Sequence, residues 1–181
     1  MKYNLIEKSK PVDLSSYFIF NKYDEVKISN YFQIDIRKEC KILKLKTYNY
    51  FPIDSSGKVM DDNVESKHIY GSFLLLKNYG NLYLRQEKFE DKIADFFNSV
   101  DIDFKNHKEF SKKFYLIGDN RDLIIRNFST KLLDFSLKIK DLELEIINNR
   151  CFFSITRLPS TNLIENATVE NCIHLEKLFN E

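Results

Sequence analysis

Between residues 101 and 128, bulky apolar side chains recur with charges spaced among them, and this stretch restricts the fold more than any other in the chain. Phe104, Phe110, Phe114 and Leu116, then Leu123, Ile124 and Phe128, supply contacts for a packed interior. Glu109, Lys112, Lys113, Asp119 and Arg121 fall between them and keep the flanks wetted. Such spacing builds scaffold: it offers apolar faces for secondary structure to bury and gathers no reactive groups.

The chain has 181 residues, 43% hydrophobic and 14% aromatic, with 16 Phe, 10 Tyr and no Trp. It can therefore bury a sizeable core without disulfides or metal. Lys and Arg number 28 against 27 Asp and Glu, and the two signs are interspersed, which argues against a dedicated polyanion binder. Cys40, Cys151 and Cys172 form no Cys-x-x-Cys pair and are expected as reduced, core or half-buried thiols of a cytoplasmic protein. Residues 1–11 carry Lys2, Glu7, Lys8 and Lys10 in place of the apolar run of a signal peptide. The longest apolar run, 73–76, stops at Lys77, far short of the about 20 residues that cross a bilayer, so no membrane span is expected.

The breakers, 4 Gly and 3 Pro, divide the chain into an N-terminal extension (1–16), an antiparallel β part (17–86) and an α+β part (87–181) that shares a core with it. Strands are predicted over 17–20, 26–32, 41–51, 68–76 and 82–85. Parity in the third places Leu43, Leu45 and Phe51 on one face and Lys44, Lys46, Tyr48 and Tyr50 on the other, as in a half-buried strand. Pro52 closes that strand and polar residues 54–63 form a long hairpin loop.

After Arg85 the period changes. Phe89, Ile93, Phe96 and Phe97 follow helical spacing, with Glu87, Glu90 and Asp91 in the first turn. A strand over 112–117 leads to a short helix capped by Asp119, and a second helix capped by Ser129 carries Leu132, Leu133 and Leu137. Strands over 142–147 and 151–156 flank Asn148-Asn149-Arg150, where Asn tolerates positive φ, and so pair as a hairpin. A last helix over 163–179 has Ile164, Ala167, Leu175, Leu178 and Phe179 on its apolar face and is expected to cover that hairpin. The expected class is α+β: an antiparallel N-terminal sheet, then a mixed helix/strand half ending in a hairpin and covering helix.

The run Asp101-Ile102-Asp103-Phe104, Glu109 to Leu116, Asp119 and Phe128-Ser129-Thr130-Lys131-Leu132-Leu133 resembles a bacterial family of uncharacterised proteins. In that family a Phe-x-x-x-Phe-x-Val strand leads to an Asp-capped helix. Lys131 stands where the family often has Pro, and Leu116 where Val is common. The resemblance implies the same order of elements over residues 17–181. Family members often place a pair of membrane-spanning helices before the soluble part, which has no counterpart in this chain, and the family brings no catalytic residues.

Candidate chemistry is thin. Asp101 and Asp103 lie two apart on an extended segment, with His107 close behind, so they are the best candidates to hold a hard cation. The plainer role for the same residues is to wet the flanks of Ile102 and Phe104. Asp61, Asn63 and Glu65 begin like a calcium loop, but Ser66 and Ser72 stand where Gly and a closing Glu are needed. Cys172 and His174 lie two apart on a helix and point away from each other. No Gly-x-Ser-x-Gly or Gly-rich phosphate loop occurs, and no cofactor is expected.

The strand face of Lys44, Lys46, Tyr48 and Tyr50 is the best binding candidate, because alternating ammonium groups and rings suit single-stranded nucleic acid. The neutral balance of charge argues against it, and outward Lys also discourages edge-to-edge aggregation. The leading expectation is a non-catalytic binding or adaptor module; the sequence does not name its partner, and another protein is one candidate. Alternatives are an immunity-type inhibitor of a toxin, a nucleic-acid binder and an enzyme whose site is assembled from distant residues.

Overall fold

A computed structural model describes residues 3–9, 12–49, 64–86, 101–156 and 161–181. The expected helix near 87–98, the hairpin loop 54–63, Phe51, Pro52 and Tyr50 lie outside these. The chain is α+β. Its described strands are β1 (Leu5–Glu7), β2 (Glu25–Ile34), β3 (Arg37–Asn49), β4 (Val64–Leu74), β5 (Leu82–Gln86), β6 (Phe114–Gly118), β7 (Glu143–Ile147) and β8 (Arg150–Ser154). The described helices are α1 (Lys108–Lys113), α2 (Arg121–Asn127), α3 (Thr130–Lys138) and α4 (Asn162–Asn180). All eight strands join one antiparallel sheet in the order β1-β2-β3-β4-β8-β7-β5-β6.

The β7–β8 hairpin sits in the middle of that order, between β4 and β5. Asn148 and Asn149 adopt φ of 48° and 59°, the left-handed pair that a tight two-residue turn requires and that Asn accepts at low cost. Gly71 of β4 stands opposite Phe153 of β8. A Cβ at Gly71 would overlap the Phe153 ring, so the glycine is what lets that ring lie across β4.

Both faces of the sheet are buried. On one, Ile42, Phe73, Leu84, Leu116, Leu144 and Phe153 form the main core with the helices. α4 lies chiefly on β4 and β3, so it covers the middle of the sheet more than the hairpin expected beneath it. Its buried stripe is Glu165, Thr168, Val169, Cys172, Leu175 and Phe179. The far end is locked by aromatic contacts of Phe179 with Phe73, Tyr79 and Phe128. Asn180 accepts from the amide of Leu76 at 2.7 Å, and the Tyr79 hydroxyl donates to the Phe179 carbonyl at 2.7 Å.

On the opposite face, Leu43, Leu45, Tyr70, Tyr83, Ile117 and Phe152 pack against Tyr17, Ile19 and Phe20. Residues 17–20, expected as a strand, instead include a single 3-10 turn, Phe18–Phe20. Its three apolar side chains lie across the sheet, and Tyr17 and Phe20 meet Phe152 edge-on at 4.5 and 5.5 Å.

The local signals are partly as expected. Ser129 caps α3 by accepting from the Leu132 amide at 3.3 Å. Asn120, one residue after Asp119, caps α2 through Leu123, while Asp119 accepts from the Asn81 amide. Residues 112–113 belong to α1, and the strand begins only at Phe114. Among the described residues no helix is long and apolar enough to cross a membrane.

Gly71→Ala tests the packing at the β4/β8 seam. The displaced Phe153 ring should destabilise the protein by about 1–3 kcal/mol, read from the urea midpoint, and Phe153→Leu in the same chain should recover part of the loss.

Candidate functional site

The least conventional part of the molecule is the cover of the second sheet face. Residues 12–23 cross it without joining the sheet, and they need fixing from below. Two carboxylates on β7 do this. Glu145 is buried, and its two oxygens accept from the amides of Phe18 at 3.0 Å and Ile19 at 2.7 Å. Glu143 accepts from the Tyr83 hydroxyl at 2.5 Å through one oxygen and pairs with the Lys22 ammonium through the other. Strand parity explains the arrangement: Glu143 and Glu145 alternate with Leu144 and Ile146, which point into the main core.

The cluster continues towards the sheet edge. The Tyr23 and Tyr70 hydroxyls lie 3.3 Å apart, and the Tyr23 ring packs on His68 with centroids 5.2 Å apart. Burial raises the pKa of the Tyr70 and Tyr83 hydroxyls, and the Glu143 carboxylate adds to the effect in both. Burial also pushes Glu145 up, against the two backbone donors that favour its charged form. His68 is pushed down by burial, with the Lys22 charge acting the same way.

Tyr23 is also one wall of an open groove of about 730 Å³ between the cover and the edge of β2. Val12, Leu14 and Phe20 line it from the cover, and Val26 and Ile28 line it from the strand. β1 pairs only with Phe32, Gln33 and Ile34 of β2. Among the described residues no strand runs along the outer side of β2 over residues 25–28. Ser29 is bulged out of the β2/β3 register, and its hydroxyl donates to the Lys44 carbonyl at 2.9 Å.

The residues singled out in the sequence lie elsewhere. Lys44 and Lys46 share a face, as parity requires, but that face meets α4 and β4. Lys44 pairs with the buried Glu165 of α4 at 2.8 Å, and its ammonium sits over the Phe32 ring. Lys46 pairs with Glu65 at 3.0 Å, and the Tyr48 hydroxyl donates to the same carboxylate. Tyr50 is outside the described residues.

Asp101 accepts from the Leu116 amide at 3.1 Å while the Ile102 amide donates to the Leu116 carbonyl, so this segment lies against the outer side of β6. Asp103 is exposed, and His107 turns to Asp134, Nε2 to Oδ1 2.8 Å. Among the described residues no three His, Cys, Asp or Glu are grouped to hold a metal ion. Cys40, Cys151 and Cys172 are free and buried, and burial pushes the Cys151 and Cys172 thiols well up.

Sequence reasoning missed Lys22, Tyr23, Glu143 and Glu145. The available signal was the pair of Glu at alternate positions in an otherwise apolar strand, Glu-Leu-Glu-Ile-Ile. No family model, curated protein or solved structure matches the chain.

The burial of Glu145 has a pH signature. Its folded pKa lies above the unfolded value near 4.5, so the folded state holds the proton more tightly. Its contribution is therefore most favourable below that value and is lost as pH rises through the folded pKa. Urea titrations from pH 4 upward should show the wild type losing stability relative to Glu145→Gln over this interval; parallel curves would remove Glu145 as the cause.

Proposed function

We propose that this chain is a non-catalytic, intracellular binding module that takes an extended segment of a partner protein in the groove beside the outer margin of β2. The observation that carries this reading is the conjunction of an outer margin of β2 along which, among the described residues, no strand runs over residues 25–28 with an apolar groove beside it. A sheet edge offers backbone donors and acceptors, and a groove lined by Val26 and Ile28 selects alternate side chains of an added strand. The partner segment is accordingly extended, with apolar residues at every second position.

The chemistry nearby supports binding over catalysis. Both oxygens of Glu145 and both of Glu143 are already engaged, and raised Tyr70 and Tyr83 hydroxyls are poor bases at neutral pH. The bulge at Ser29 and the Glu25/Lys27 pair, 2.9 Å apart, are devices that discourage copies of one chain from adding to each other's edges. The Lys44/Lys46/Tyr48 face is a weaker candidate for nucleic acid, because its ammonium groups already face Glu165 and Glu65.

Selection from a library of random twelve-residue peptides tests the proposal. Binders should carry alternating apolar residues, slow hydrogen exchange of β2 amides over residues 25–28, and lose about tenfold in affinity, about 1.4 kcal/mol, when Leu14 is changed to Ser. Failure to select any binder, or protection confined to other strands, would reject it.

A further inference from the structure

On the helical side of the sheet, a cleft of about 490 Å³ opens between the segment before α1 and the first turns of α2 and α3. Its apolar lining is Phe104, Phe128, Ile125 and Leu133. The first two rings pack on each other with centroids 5.7 Å apart. Ile125 remains 36% exposed, one of the few large apolar side chains left uncovered. The volume lies within the range of small-molecule sites, which combine an apolar lining with a few placed polar groups.

Two of the polar groups are cationic. Lys105 and Arg121 line the cleft from different segments, and both are exposed. Neither makes an ion pair or side-chain hydrogen bond among the described residues, whereas Lys22, Lys44, Lys46 and Lys113 are engaged. His107 lines the same cleft. Its Nε2 is held by the Asp134 carboxylate at 2.8 Å. Asp103 is the one carboxylate among the described lining residues to set against Lys105 and Arg121.

We infer that this cleft binds a small organic anion, whose ring-sized apolar body lies on Phe104, Phe128, Ile125 and Leu133 and whose phosphate or carboxylate head meets Arg121 and Lys105. Arg121 presents a planar fork that matches either head. The His107 ring, fixed to Asp134 through Nε2, stands in the cleft wall and reports a bound ligand.

Phenyl phosphate and benzoate are the probes, titrated into the full chain by calorimetry and by NMR of the His107 ring nitrogens. Inorganic phosphate and phenol serve as the separated halves. At least one probe should bind tenfold or more tightly than its separated head or ring and shift the His107 ring nitrogens, and the stronger of the two identifies the head. The double variant Lys105→Gln, Arg121→Gln changes only exposed side chains, so it should keep the thermal midpoint and lose tenfold or more in affinity. Equal affinity for whole probe and halves, undiminished binding by the double variant, or no binding by either probe would overturn the inference.

Discussion

Two carboxylates on β7 hold together the half of this protein that regular secondary structure does not. A sheet with apolar side chains on both faces must be covered twice. The helices cover one face with their own backbone ladders, the long one in α4. The cover on the other face, residues 12–23, is held internally by short local turns, Tyr17 to Leu14 and Tyr23 to Phe20 beside the 3-10 turn, and Glu145 and Glu143 tie these to the sheet from below. The arrangement is costly, since burial opposes ionisation of Glu145, yet it anchors two backbone donors that would otherwise be buried and unpaired.

The thinness of that cover explains where the groove lies. Residues 12–23 are tied to β7 near the centre of the sheet, and among the described residues β1 pairs with β2 only at its far end, residues 32–34, so the groove opens beside residues 26–28. The helical face has its own incomplete spot. There α1, α2 and α3 are short, and three brief helices cannot close over the aromatic cluster of Phe104 and Phe128 as a long one could. The two recesses thus arise on opposite faces from the same cause, cover built from short pieces.

The parts of this fold that depend on neighbours in sequence were legible. Strand parity separated Leu43 and Leu45 from Lys44 and Lys46, Ser129 announced a helix start, and the paired Asn residues marked the β7–β8 turn. What failed depended on distant partners. The Lys face reads as solvated because nothing local reveals that Glu165 of α4 comes to rest beside Lys44. Phe18-Ile19-Phe20 reads as a strand by composition, and its turn is imposed by carboxylates more than a hundred positions away. Asp101 and Asp103 were singled out by their own spacing, but the first caps the margin of β6 and the second faces solvent. The cations of the helical cleft come from segments whose convergence no periodicity encodes.

The insertion of the β7–β8 hairpin between β4 and β5 dictates an order of events during synthesis. β4 and β5 are consecutive on the ribosome, yet neither can pair with the other. Each has a margin that must wait until residues 143–154 emerge, so a nascent chain holding only the first six strands carries two bare interior margins, one on β4 and one on β5. For that interval the polypeptide is most vulnerable to misassembly with other unfinished copies. The late hairpin closes both margins in one step.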